Sequence, residues 1–178
     1  MDNTNIELVS SLGVIASTLS SITDLQALAS SVNSIVDSIV EVEYNGFYLV
    51  NQETGNLKLY HAKGLNKSEQ KTAEKTAMNR HPGWVFHNKE ILLISDTKKE
   101  KGGQSKDSER SFVVRSRVWL PIMSLDKAVG AFGVASTKVD QFSKQHIALL
   151  SFVCNLAGVV FNNITLKNEQ EENNHNLT

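Results

Sequence analysis

The chain has 178 residues, of which 40% are hydrophobic and 21% are charged, and this predicts one globular domain with a substantial core and helical extensions. Its formal net charge is −1, so the composition gives no general attraction to nucleic acid or to an anionic membrane. The single cysteine, Cys154, excludes an intrachain disulfide framework and indicates a reducing compartment. No apolar run approaches the length of about 18 residues that is needed to span a membrane. We therefore expect a cytoplasmic protein without membrane insertion.

Two amphipathic helices are predicted before the first strand. Apolar residues recur at helical spacing over residues 5–21 and again over residues 24–40, and Thr23-Asp24 supplies a cap for the second helix. We interpret residues 1–23 as a dimerisation and signalling helix, residues 24–166 as the globular domain, and residues 167–178 as a polar tail or a linker to an output domain.

Short strands and helices follow in the middle of the chain. In order, the sequence predicts strands at 43–50 and 57–62, a polar helix at 67–78, a short helix opened by Pro82, and a strand at 91–94 that ends at Asp96. Residues 98–110 contain no large apolar residue and carry five basic and three acidic side chains. This composition predicts a mobile loop, either a plain solvated loop or a lid that attracts phosphate.

The last third of the chain predicts a central hairpin and a long packing helix. Strands 118–124 and 128–135 are joined at Leu125-Asp126-Lys127, and the second strand is apolar or small on both faces. Such a strand is typical of the middle of a sheet that is covered on both sides. A helix is predicted for residues 142–166, and the polar residues 168–178 are expected to fray.

Three segments, together with the order of the predicted helices and strands, resemble a known family. They are Arg117-Val-Trp-Leu-Pro-Ile, Val129-Gly-Ala-Phe-Gly-Val-Ala-Ser, and Phe142-Ser followed by Ile147-Ala-Leu-Leu. Over about residues 24–164 the chain resembles the GAF domain family. The resemblance implies an α+β, PAS-related fold: an antiparallel sheet of five or six strands, helices on both sides, long terminal helices, and a small-molecule cavity beneath the crossover segments. It also implies a sensory role upstream of histidine kinases, as in two-component systems, cyclic-nucleotide enzymes, phosphatases or transcription activators, usually in a dimer.

The sequence gives no sign of catalysis. It lacks the P-loop, the nucleophile elbow, the His-Glu-x-x-His motif and the Cys-x-x-Cys motif. Members that reduce free methionine sulfoxide need several reactive cysteines, and here Cys154 stands alone. Ser95-Asp96-Thr97 replaces the Asp-Ile-Pro segment of bilin-binding relatives, so no covalent bilin is expected. Lys144-Gln145-His146 replaces an Asp-Glu pair of cyclic-nucleotide-binding members, so that ligand is not favoured.

A small-ligand pocket is the better-motivated site, because the family places the relevant segments near its cavity. The candidate ligand-binding residues are Phe47, Trp84, Asp96, Arg115, Arg117 and Trp119. An arginine would supply the cation, Asp96 the acceptor, and the aromatic rings the walls. The alternative is that the tryptophans belong to the core and the arginines pair with surface acids. The five histidines lack metal-ligand spacing, and a haem sensor would use His81 or His146 as its axial ligand.

Both terminal helices have more apolar residues than one sheet can cover. We therefore expect a parallel homodimeric bundle in which small residues, Gly13, Ala16, Ala157 and Gly158, allow close approach; the alternative is that both helices pack on their own sheet. Two functions follow from the residues. One is a non-catalytic sensor that passes its ligand state to a signalling domain in cis or to a partner in trans. The other is an interaction module with a vestigial cavity.

Overall fold

A five-stranded antiparallel sheet forms the centre of the fold. The computed structural model describes residues 3–100 and 113–175. In chain order the elements are α1 (Asn3–Ser20), α2 (Leu25–Ile39), β1 (Tyr44–Val50), β2 (Leu57–Lys63), α3 (Lys67–Thr76), a 3-10 turn (Ala77–Asn79), α4 (His81–Asn88), β3 (Leu92–Ile94), β4 (Ser116–Ser124), β5 (Lys127–Ser136) and α5 (Lys144–His175). The strand order is β2-β1-β5-β4-β3, and every neighbouring pair is antiparallel. The predicted α+β architecture is confirmed, and of the predicted loop at 98–110 the part beyond Glu100 lies outside the described residues.

Local capping chemistry sets the starts of the helices. The Asp24 side chain accepts a hydrogen bond from the Ala27 amide at 2.8 Å and begins α2, as the sequence predicts. At α3, Asn66 and Glu69 form a reciprocal capping box, in which each side chain accepts from the other residue's backbone N–H. Proline in the first turn opens α4, and Lys89 in the left-handed conformation ends it.

The two faces of the sheet carry different cores. Side chains alternate along β5, so Phe132 and Val134 point to the face covered by α2 and α5, whereas Ala131 and Ala135 point to the face covered by α3 and α4. The α2–α5 face is large and aliphatic, with Phe132 at its centre. The α3–α4 face has small residues in the middle of the sheet, and this difference leaves space on that side.

Helix α5 is longer than the sequence predicts. It continues to His175, so the expectation that the polar residues after 167 fray is wrong for the part that is described. This stretch contains no glycine or proline, and Lys167 and Glu171 pair at 3.8 Å one helical turn apart, which favours continued helix.

Length and composition alone would allow α5 to cross a membrane. However, 44% of its most apolar window is buried inside the domain, against the sheet and α2. Core helices of globular proteins show the same composition, so we interpret α5 as the main packing helix of this domain.

Two of the small residues assigned to a dimer contact lie elsewhere. Ala157 and Gly158 are buried against the chain's own sheet, and a Cβ atom on Gly158 would lie 1.9 Å from the backbone oxygen of Met123. They allow α5 to approach β4 and not a second copy. In contrast, a Cβ atom on Gly13 in α1 would meet nothing within 4 Å.

Leu125→Gly is expected to stabilise the fold by about 0.5–1 kcal/mol. Leu125 is 93% exposed in the β4–β5 turn and has a φ of 57°. This left-handed conformation costs a residue with a Cβ atom about 1–2 kcal/mol, and glycine avoids that cost. Part of the gain is lost because glycine is more flexible in the unfolded chain. Denaturant unfolding measures the change. Asp126→Gly is the matched control, because Asp126 has no positive φ, and it should be destabilising; equal signs for the two variants would contradict the strain argument.

Candidate functional site

A cavity lies between the α3–α4 layer and the sheet. It is an open recess whose volume is about 430 Å³ when the solvent at its mouth is counted. Its lining comes from β1, β4 and β5 below and from α3, the 3-10 turn and the start of α4 above: Tyr44, Tyr48, Ala73, Ala77, Arg80, His81, Pro82, Arg117, Trp119 and Ala135. The middle of the sheet and the α4 crossover therefore meet here.

Paired glycines of the sheet lie against three of the aromatic residues that line the cavity. Gly46 of β1 is the register partner of Gly133 of β5, which in turn pairs with Trp119 of β4. A Cβ atom on Gly133 would lie 2.5 Å from the Trp119 indole, and one on Gly46 would lie 2.7 Å from the Tyr44 hydroxyl and 3.0 Å from the Tyr48 ring. The two glycines thus let three aromatic rings lie close against the backbone of the sheet.

The walls carry several basic groups. Arg117 of β4 is only 7% exposed, and Arg80 and His81 stand where α4 begins, so the positive end of that helix dipole is on the same wall. No aspartate or glutamate is among the lining residues of the described chain. At the margin, His81 Nε2 lies 3.8 Å from the Glu100 carboxylate. The described lining of the cavity is therefore basic, and the carboxylate of Glu100 lies at its margin.

The predicted site residues separate into four places, the last of which is the Asp96–Arg115 pair described below. Arg117 and Trp119 line the cavity. Phe47 does not reach it, since this ring lies on the opposite face of the sheet, 6.0 Å from Phe132 between ring centroids. Trp84 is on α4 but is 42% exposed and outside the lining.

Asp96 and Arg115 pair with each other at the end of β3. Arg115 Nη2 lies 3.2 Å from Asp96 Oδ1, and neither side chain lines the cavity. The Lys98 backbone N–H, which donates to Asp96, lowers the pKa of this carboxyl; partial burial opposes the shift and Arg115 adds to it. The Thr97 amide also donates to the Arg115 carbonyl at 2.8 Å, so the pair joins the ends of β3 and β4.

A profile of the GAF domain family matches residues 23–162. The chain belongs to the GAF domain family. The resemblance inferred from the central hairpin and the last helix is confirmed. GAF domains are generally sensory or regulatory and occur in kinases and phosphotransferases.

Solved structures similar to this GAF domain share its fold at low identity. The GAF domain of an Acinetobacter phosphoenolpyruvate-protein phosphotransferase is 23% identical, covering 90% of this chain and 96% of its own, with a TM-score of 0.68. The corresponding domain from Coxiella burnetii is 12% identical, covering 92% and 98%, with a TM-score of 0.74. A free methionine-R-sulfoxide reductase from Neisseria meningitidis, solved with its substrate, is 17% identical, covering 88% and 89%, with a TM-score of 0.66. No curated protein matches this chain.

Four aromatic or basic residues that line the cavity of this GAF domain were not predicted as ligand contacts. They are Tyr44, Tyr48, Arg80 and His81, the last considered only for haem. The pattern Tyr-x-Gly-x-Tyr in β1 held a usable signal, since residues two apart share a face and a glycine between two rings leaves a recess. Arg80 and His81 gave no such signal, because a loop-to-helix junction shows no periodicity.

Three further ionisable groups, His146, His61 and Cys154, lie outside the cavity. His146 lies in the first turn of α5, with its Nδ1 3.3 Å from the Gln141 carbonyl oxygen, and does not line the cavity. Burial lowers the pKa of His61, and the Asp37 carboxylate partly offsets this. Burial raises the pKa of the Cys154 thiol, which is 1% exposed on α5. Among the described residues no group of three His, Cys, Asp or Glu side chains could hold a metal ion.

Asp96→Asn is expected to lower the melting temperature near neutral pH and to have less effect in acid. The pKa of Asp96 is depressed below its ordinary 3.8 in the folded state, so its contribution to stability is present above that value and is lost as the pH falls through the folded-state pKa. Melting curves of both proteins from about pH 7 to about pH 3 measure this, and the two should converge below about pH 4. A gap that stays constant down to the lowest pH would show that the carboxylate charge is not the cause.

Proposed function

We propose that this GAF domain is a non-catalytic sensory module that binds a small molecule in the cavity between the sheet and α4. The observation that carries the proposal is the convergence of basic and aromatic side chains on one recess: Arg80, His81 and Arg117 with Tyr44, Tyr48 and Trp119. Apolar walls with a few oriented polar groups are typical of small-molecule sites. We place the module in the cytoplasm, as its single cysteine suggests.

Strand β4 is the physical link from the cavity to the terminal helices. Arg117 and Trp119 face the cavity, while Val118 and Leu120 of the same strand pack on the α5 side. A ligand that moves β4 therefore changes the surface on which α5 rests. We propose that α5 relays this change to an output such as a histidine kinase or a cyclic-nucleotide enzyme, in cis or as a partner in trans.

The terminal helices would act as part of a homodimer. Large apolar residues remain exposed on both: Val9 and Val14 on α1, and Val159 and Leu166 on α5. Such faces are typical of interaction surfaces. In this proposal the two helices pair with their copies in a parallel bundle.

An enzymatic role has less support. A similar fold belongs to a free methionine-R-sulfoxide reductase, but reductase chemistry of that kind needs accessible thiols. Cys154 is the single cysteine of the chain, and it is enclosed between α5 and the sheet. We propose that the domain is regulatory only.

The second candidate is a dimerisation module whose cavity is vestigial. Trp119 lies directly over Gly133, and the Tyr48 ring lies over Gly46, so the protein's own rings occupy part of the recess. A haem sensor based on His81 has weaker support, because about 430 Å³ including the mouth is little space for a macrocycle.

Native mass spectrometry tests the sensor and dimer proposals together. We expect a dimer that retains a small-molecule adduct, and Val159→Asp should give monomers, because the substitution places a charge in an apolar contact. Val139→Asp is the matched control: Val139 is 43% exposed and Val159 is 49% exposed, but Val139 lies outside both terminal helices and its variant should remain dimeric. A monomeric wild type would defeat the dimer. A dimer without an adduct that also shows no thermal shift in a metabolite screen would favour the vestigial cavity.

A further inference from the structure

We infer that α5 pairs with α5 of a second copy of this chain, parallel and in register, through a stripe of outward-facing residues in which asparagine lies level with asparagine. This contact belongs to the proposed homodimer, on which the inference rests. The asparagines set the direction and the register of the two helices. Three features of α5 support it: the spacing of its outward-facing residues, their lack of charge, and the hydrogen-bonding chemistry of the carboxamide group.

Helix α5 carries a second patterned face on the side away from its own sheet. The residues that pack on the domain core are buried and include Leu150, Ala157 and Ile164. On the opposite side, which we call the outer stripe, residues recur at alternating intervals of four and three, the spacing of a two-helix contact. Val159 is 49% exposed, and of the outer stripe only Phe152 is half-buried. The outer stripe consists of an apolar row, Phe152, Val159 and Leu166, and a second row, Ala148, Asn155 and Asn162.

The outer stripe lies in an uncharged part of the helix. The sequence has no aspartate, glutamate, lysine or arginine between Lys144 and Lys167, whereas Glu169, Glu171 and Glu172 follow in the last turns. A helix face that stays in water normally carries charged residues, and the centre of a protein interface is depleted of them. The return of charge directly after the outer stripe marks the end of the contact. A second copy can cover this face without repulsion between like charges.

The two asparagines favour a second copy in parallel orientation. A carboxamide has both donors and an acceptor, so two asparagines at the same level can bond to each other. Parallel helices without stagger bring each row against its own copy. Amides then meet at positions 155 and 162, and apolar side chains meet at positions 152, 159 and 166. Every polar group of the contact has a partner in this arrangement.

Other arrangements of the two helices mismatch the rows. Antiparallel helices bring one row against the other, so each asparagine would lie level with an apolar residue and lose hydrogen bonds on burial. A parallel pair shifted by one heptad keeps one layer of paired asparagines but loses contacts at both ends of the outer stripe. The parallel, unshifted pair also places both C-terminal ends of α5 side by side, as a relay to an output through this helix requires.

Opposite charges introduced at position 162 test the contact. Asn162→Asp and Asn162→Lys each place like charges level with each other, so each should raise the dissociation constant of the dimer at least about tenfold. An equal mixture of the two should form a heterodimer, because opposite charges then meet. Sedimentation velocity measures the dimer, and native mass spectrometry with a tag on one variant identifies the heterodimer. Asn168→Asp and Asn168→Lys are the matched controls, since Asn168 is exposed and lies four residues after the buried Ile164, on the other side of α5.

A cysteine at the end of the outer stripe tests the direction of the helices. In a parallel, in-register pair the two copies of position 166 face each other, so Leu166→Cys should form an intermolecular disulfide under mild oxidation. Asn168→Cys should not, because this position points away from the contact. The natural Cys154 is 1% exposed in the core and does not compete.

The outcomes separate this contact from the homodimer itself. A wild type that is monomeric at tens of micromolar would overturn both. A dimer that tolerates Asn162→Asp and Asn162→Lys, or a mixture of the two that stays monomeric, would overturn the contact and leave the homodimer standing. A dimer that responds to the charges but does not cross-link through Leu166→Cys would overturn the parallel register. The substituted residues are exposed, and circular dichroism checks that each variant is folded.

Discussion

Phe132→Ala is expected to lower the free energy of unfolding by about 3–5 kcal/mol, the largest effect that we predict for a single substitution. Phe132 is fully buried on the central strand β5, where its ring meets that of Phe47 of β1 at a centroid distance of 6.0 Å. The surrounding layer is packed between the sheet and the helices α2 and α5, so the cavity left by the ring cannot collapse readily. Urea unfolding measures the change.

A double-mutant cycle with Phe47 tests whether this pair acts as a unit. Phe47→Ala should cost a similar amount, and the double variant should be less destabilised than the sum by about 0.5–1.5 kcal/mol, the usual coupling of an aromatic pair. Phe132→Leu is the graded control, because it keeps most of the apolar volume and should cost much less than alanine. Strict additivity of the two alanine variants would show that the rings contribute separately.

The elements of this GAF domain were predictable because their signals are local. Asp24 starts α2 through its own side chain, and proline opens α4, so a few neighbouring residues contain the information. The central position of β5 was also predictable, since a strand that is apolar or small on both faces must be covered on both. The resulting sheet places β5 between β1 and β4, as expected.

It was harder to predict which side of the sheet each strand residue faces than to predict the strands themselves. All residues of β1 except Val50 are buried, so alternation of polarity gives no indication of which side meets the cavity. Phe47 was assigned to the cavity, but its parity along the strand is that of Leu49 on the α5 side, whereas Tyr44 and Tyr48 share the cavity face. Only the arrangement of the helices over the sheet determines which alternate residues of β1 face the cavity and which face α5.

The remaining residues of the candidate site come from segments that are far apart in the sequence and meet only in the folded protein. Arg117 and Trp119 were identified because they belong to a strongly patterned hairpin, and both line the cavity. Arg80 reaches the same recess from a turn more than thirty residues earlier in the chain. Arg115, two residues from Arg117, instead pairs with Asp96 at the sheet margin. The sequence therefore identified one of the three basic residues that line the cavity, Arg117, and it also assigned to the cavity two residues, Asp96 and Arg115, that instead pair with each other.

Gly158→Ala and Gly13→Ala are expected to change stability in opposite directions although both replace a glycine inside a helix. Alanine improves helix propensity at either position by about 0.5–1 kcal/mol. At Gly13 the new methyl group meets no atom of its own chain within 4 Å, so nothing within the monomer opposes the gain in helix propensity. At Gly158 the methyl group would lie 1.9 Å from the Met123 oxygen and 2.4 Å from its carbonyl carbon, backbone atoms of β4 that cannot rotate away. The helix must then move off the sheet, and we expect a net loss of about 1–3 kcal/mol.

The same pair of variants tests how α5 is held on β4. Calorimetry or urea unfolding of both proteins gives the sign of each change, and a stabilised Gly158→Ala would mean that α5 has room to shift at no cost. A helix α5 that can shift freely would also argue against β4 as the link between the cavity and α5. A ligand that contacts Arg117 and Trp119 could then move β4 without moving the helix on its other face. A loss at Gly158 together with a gain at Gly13 would instead support tight seating of α5 on the strand that borders the cavity. That contact is what a relay from ligand to terminal helix requires.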